Sequence, residues 1–102
     1  MAESSGPPDF LIHDPGDTVA VAVRDLAPGP ARGAYLVGDE VVHLDLPEPV
    51  QLGHKIALAD MADGQEVIEY GQLVGIALRD ISRGGYVHVH NIGSARWRSS
   101  VA

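Results

Sequence analysis

Near the carboxyl end of the chain, His88 and His90 stand two residues apart and are followed by Asn91. The run Tyr86-Val87-His88-Val89-His90 is rich in β-branched and aromatic residues, and it predicts a strand. In a strand the side chains alternate, so Tyr86, His88 and His90 would share one face. Two imidazoles on one face can converge on a metal ion or an anionic substrate, bind a carboxylate, or pass a proton near neutral pH. The same spacing equally serves two rings that cover a half-buried sheet face beside Tyr86. Two ligands do not close a metal site, and no further ligand spacing is evident. Asn91 also suits a strand end, because Asn tolerates turn conformations.

Three weaker constellations accompany this one. Gly53-His54-Lys55 puts a proton carrier next to a cation, suited to an anionic ligand or equally to a solvated pair. Ile12-His13-Asp14 leads into Asp14-Pro15-Gly16-Asp17, which reads as a turn. Glu69-Tyr70-Gly71 reads as a strand end, with Gly71 and Gly75 permitting a bend or bulge. There is no G-x-S-x-G, no P-loop and no dinucleotide fingerprint. No set of nucleophile, base and orienting group is complete. The residues therefore point to a binding or accessory domain that completes a site held elsewhere.

Short elements must position these side chains. Apolar runs occur at 10–13, 18–24, 35–37, 41–46, 55–58, 67–70, 73–78 and 86–90, separated by Gly, Pro and Asp. β-branched residues dominate them, and no stretch keeps a helical period over three turns. The pattern predicts an all-β domain of many short strands with tight turns. Residues 1–9 are Ser, Gly and Pro rich and are expected to form a mobile tail, as is 93–102, which carries Trp97 between Arg96 and Arg98. That Trp suits either packing back on the domain or anchoring a partner.

A repeat runs through the middle. Ile56-Ala57-Leu58-Ala59-Asp60-Met61-Ala62-Asp63-Gly64 aligns with Ile76-Ala77-Leu78-Arg79-Asp80-Ile81-Ser82-Arg83-Gly84, twenty residues later. A weaker copy is Val21-Ala22-Val23-Arg24-Asp25-Leu26-Ala27-Pro28-Gly29. Each reads as a strand, an Asp-capped turn of one short helical turn, and a glycine suited to positive φ. The copies imply a compact, pseudo-symmetric domain with strands that double back.

Composition excludes several classes. The 102 residues make one domain, and the formal net charge of −7 offers no clustered cations for nucleic acid or an anionic membrane. With no cysteine, neither disulfides nor thiolate metal sites can form. The first residues lack a basic and apolar signal pattern and no run reaches the length of a membrane span, so the cytoplasm is the expected compartment. A homo-oligomer is compatible with all of this.

The order Gly53-His54-Lys55-Ile56-Ala57-Leu58, Val67-Ile68-Glu69-Tyr70-Gly71, Gly75, Asp80-Ile81-x-x-Gly84 and His88-Val89-His90-Asn91 resembles the SAF-type domain of the altronate/galactarate dehydratase family. The upstream Gly16-Asp17-Thr18-Val19 run is similar to the start of that domain, and the resemblance covers about residues 10–92. It implies a compact β-clip fold with one or two short helical turns. It implies a small subunit, or a domain of a longer chain, that works with a large catalytic part in eliminating water from a sugar acid. In sulfolactate sulfo-lyase-like members sulfite is eliminated instead. It further implies iron or manganese, held mainly by the large part. On this resemblance His54, His88 and His90 are the candidate catalytic residues, with His88 and His90 also candidate metal ligands. Lys55 and Asn91 are the candidate substrate-binding residues. A non-catalytic module for binding sugar acids or for oligomerisation is the other reading.

Overall fold

A computed structural model describes residues 7–87 and 92–93. Nine strands are present: β1 (Phe10–Ile12), β2 (Val19–Ala22), β3 (Gly29–Tyr35), β4 (Val41–Leu46), β5 (Lys55–Ala57), β6 (Glu66–Glu69), β7 (Gln72–Ala77), β8 (Tyr86–Val87) and β9 (Ile92–Gly93). They form a six-stranded sheet in the order β4-β3-β1-β2-β5-β8 and a three-stranded sheet in the order β6-β7-β9. All pairs are antiparallel except β1 with β3. The all-β expectation is met. Of the strand expected over 86–90, the described part is Tyr86–Val87; His88, His90 and Asn91 lie outside the described residues, as do Arg96, Trp97 and Arg98.

Alternation along β2 and β5 divides the interior in two. Ala20, Ala22 and Ile56 join Phe10, Ile12, Leu44, Leu46 and Val50 in one core. Val19, Ala57 and Val87 join Met61, Val67, Ala77 and Ile81 in a second core, beneath the small sheet. The run 35–37 does not form a strand of its own. β3 lies upstream, in Gly-Pro-Ala-Arg-Gly-Ala-Tyr, a segment whose breakers conceal it. Pro30 is accommodated because β3 has only β4 beside it there, β1 joining from Gly33 onward. Gly33 is required because the ring of Phe10 fills the space of a Cβ, which would lie 1.9 Å from Phe10 Cε1.

The repeat builds two clasps. In the first, Met61 and Ile81 exchange backbone hydrogen bonds of 2.7 and 2.8 Å. Asp60 accepts the Arg83 N–H at 2.8 Å, and Asp80 accepts the Asp63 N–H at 2.9 Å. Each carboxylate thus holds the residue two positions beyond the opposite bridge partner. In the second clasp, Leu26 and Val50 exchange bonds of 2.7 and 3.0 Å, and Asp25 accepts the Leu52 N–H at 2.9 Å. The reciprocal bond cannot form: Pro49 stands where the aspartate would be, and Pro28 stands where the donor would be.

A glycine with positive φ follows four residues after Asp25, Pro49, Asp60 and Asp80: Gly29, Gly53, Gly64 and Gly84. Residues 45–53 are therefore a fourth copy in structure, unrecognisable in sequence because Pro49 stands at the position of the aspartate. No helical turn occurs among the described residues. The one expected after each Asp is absent because the carboxylate bonds across the clasp, not to its own next turn.

Candidate functional site

The corner at Gly53 sets His54. The Gly53 N–H bonds the Ala22 carbonyl at 2.8 Å, and the Ala22 N–H bonds the His54 carbonyl at 2.9 Å. A positive φ of 84° at Gly53 lets the chain turn into β5 there. His54 Nδ1 shares a hydrogen bond with the Tyr86 hydroxyl, its direction set by the imidazole tautomer. The two rings stack nearly parallel, 6° between planes and 5.4 Å between centroids. Tyr86 in turn packs against the first core. The imidazole is thus half-buried and oriented by a phenol from a strand that pairs with β5.

Lys55 turns to other partners. Its cross-strand neighbours are Val21 and Val87, while Tyr86 is registered with Ile56 on the opposite face. Lys55 Nζ lies 3.7 Å from Glu69 Oε1, whose side chain is 9% exposed against 34% for Lys55. This ion pair ties the small sheet to the large one. His54 and Lys55, adjacent in sequence, therefore do not form one cluster in the described structure.

A second polar cluster gathers two of the weaker sequence constellations. The buried Asp17 carboxylate accepts the N–H groups of Tyr70 (3.0 Å), Gly71 (2.9 Å) and Asp14 (3.3 Å). Thr18 and Ile68 exchange bonds beside it: Thr18 N–H to the Ile68 carbonyl at 3.0 Å, and Ile68 N–H to Thr18 Oγ1 at 2.9 Å. The His13 and Tyr70 rings meet with centroids 3.9 Å apart. The expected turn at 14–17 forms, closed by Asp17 N–H to the Asp14 carbonyl at 3.0 Å. β6 ends at Glu69 as expected, and a bulge lies between Val67 and Ile68 opposite Gly75.

Tyr86, Glu69 and Asp17 acquire roles that the residue types alone did not reveal. Glu69 carried a signal: it shares sequence parity with the buried Val67, so an acid sat on the inward face of a strand. Tyr86 carried none and Asp17 only that of its local turn with Asp14, since their other partners lie 32 and 53 or 54 residues away. Chemically, the phenol–imidazole pair can orient a ring for carboxylate binding or proton transfer. The Lys–Glu pair can offer a cation only to a ligand that competes with Glu69. Among the described residues no group of three or more His, Asp or Glu is placed to hold a metal ion. His88, His90 and Asn91 lie outside the described residues.

Comparison with known proteins places these residues in a family. The model of the altronate/galactarate dehydratase SAF domain matches residues 8–95. The chain is 34% identical to the (2R)-sulfolactate sulfo-lyase subunit alpha of Chromohalobacter salexigens, over 87% of this chain and 97% of that one. It is 47% identical to the altronate dehydratase of Escherichia coli, over 74% of this chain and 14% of that one. Identity to the Escherichia coli galactarate dehydratase (L-threo-forming) is 37%, over 74% of this chain and 13% of that one. The chain thus spans nearly all of the sulfo-lyase subunit but about a seventh of the dehydratases. With its two-sheet β architecture and the motif order of Gly53 to Gly84, the chain belongs to the SAF-domain family of the altronate/galactarate dehydratases.

Proposed function

We propose that this chain is the small SAF-type subunit of a cytoplasmic lyase, completing the active site of a larger polypeptide that eliminates water from a sugar acid. The observation that carries this reading is the His54–Tyr86 pair, an imidazole locked by a phenol at the start of β8. His88, His90 and Asn91 follow within a few residues of Tyr86 in the sequence, and join the site on that ground. In this reading His54 and the two later histidines bind the substrate carboxylate or move its proton, and Asn91 contacts a hydroxyl. Lys55 meets a second acidic group of a ligand that competes with Glu69 for its ammonium. In this reading the iron or manganese is held mainly by the larger polypeptide, with His88 and His90 as the candidate ligands from this chain, and no step is assigned to it; among the described residues no group of three or more His, Asp or Glu is placed to hold a metal ion.

Elimination of sulfite is the second reading. What favours it is that the chain spans 97% of the sulfo-lyase subunit, whereas the higher identity of 47% lies with a dehydratase. Co-purification with the larger polypeptide, then assay on altronate, galactarate and sulfolactate, tests both. A fall in kcat of about hundredfold is expected for His54→Gln and about tenfold for Tyr86→Phe. A His54→Gln complex that turns over at the wild-type rate would remove His54 from the site. A wild-type complex inert on all three acids would overturn the function.

A further inference from the structure

We propose that the end of the molecule built around Tyr70 is the surface on which the larger polypeptide docks; this rests on the functional reading above. Tyr70 has φ +57°, and it is the one non-glycine residue with positive φ among the described residues. A bulky residue there carries a conformational cost that glycine or asparagine would avoid. The cost is not offset by burying the ring, which is 55% exposed. The backbone beneath is nonetheless held firmly, by two hydrogen bonds to the buried Asp17 and by the ring contact with His13. The two-residue turn that joins β6 to β7 demands positive φ at both Tyr70 and Gly71, so it is the choice of Tyr over glycine or asparagine there that points to a presented ring.

Other exposed apolar side chains flank it. Leu73 and Val74 follow on β7, before the point where β9 joins at Ile76. Next to His13 in the chain, the Ile12 carbonyl accepts the Leu36 N–H at 3.0 Å, and Leu36 and the 88% exposed Val37 face solvent. A patch of this kind on a small domain marks an interaction surface. Its rim is acidic: Asp14, Asp39 and Glu40 are exposed, and no Lys or Arg occurs from Gly33 to His54. The matching partner has an apolar centre and a basic rim.

The family relatives indicate which partner that is. The same domain makes up nearly all of a separate sulfo-lyase subunit and about a seventh of a dehydratase chain. A domain that works alongside a larger body without a covalent link needs an apolar contact to stay there, and Tyr is a typical anchor in such contacts.

The test uses the full chain and a large subunit of the same family, with association followed by calorimetry. Tyr70→Gly relieves the φ cost while deleting the ring, so the isolated chain should melt at the same temperature or higher. Its affinity for the larger polypeptide should fall about tenfold or more. Leu73→Lys with Val74→Lys should abolish association, and raised salt should weaken the wild-type complex. Wild-type affinity in both variants, with an active wild-type complex, overturns this inference and leaves the functional reading standing. Failure of the wild-type chains to associate at all overturns both. A self-dimer of the chain that Tyr70→Gly dissolves assigns the patch to a second copy and also overturns the inference.

Discussion

The two clasps share a backbone and differ in chemistry. At Met61–Ile81 both crossing bonds are made, each by an aspartate to a backbone N–H. At Leu26–Val50 only Asp25 makes its bond, and prolines remove both halves of the other. Loss of the acceptor without loss of the donor would have left an N–H without its carboxylate; loss of both leaves nothing to satisfy. The comparison teaches that the repeat constrains pairs of positions, not single residues. A degenerate copy can persist when its two changes fall on opposite sides of one hydrogen bond.

The corner glycines sharpen that comparison most. Gly84 has φ +86°, and a Cβ there would lie 2.6 Å from the Asp45 carbonyl oxygen. Gly53 and Gly64 have similar φ values, with nothing within 4 Å of the added atom. Gly84→Ala should therefore lower stability by about 3 kcal/mol or more, and Gly53→Ala or Gly64→Ala by about 1 kcal/mol each. Urea melts of the three variants would show it; equal losses would mean that crowding at Asp45 contributes nothing.

A smaller effect comes from the aspartates. Asp60→Ala and Asp80→Ala should each cost about 1 kcal/mol, because each leaves an N–H of the opposite segment without its carboxylate. Asp25→Ala should match them, and a markedly larger loss would show that the half-clasp relies on its single bond. The smallest effect restores symmetry. Pro49→Asp supplies an acceptor and Pro28→Ala a donor. Neither alone should help, but a double-mutant cycle should give a favourable coupling of about 0.5–1 kcal/mol. Zero coupling would mean that the two corners differ in backbone as well as in side chain.

Much of the fold was legible in the sequence, for definite reasons. Alternating valines and recurrent turn residues exposed most strands, and β4 matches the apolar run 41–46. β3 was hidden because its glycine makes room for Phe10 and its proline sits where a neighbour is missing, both being tertiary facts. The aspartates of the repeat were legible as backbone acceptors, but not their partners. Local capping assumes a donor in the next turn, and Asp60 finds its donor 23 residues away.

The candidate site was less legible. Sequence adjacency joined His54 to Lys55, yet alternation in β5 sends Lys55 towards Glu69 while His54 meets Tyr86. Glu69 and Tyr70 read as a strand end, which they are, but not as the partner of Lys55 and a strained exposed ring. Such roles emerge only when distant segments are superposed.

The clasps also bear on how the chain reaches its native state. Neither closes until stretches 20 or 24 residues apart have found each other, and Thr18 must meet Ile68 across 50 residues before the small sheet seats. Folding is therefore expected on the order of milliseconds to seconds, with the rate governed by loop closure and with late, cooperative locking of both halves together.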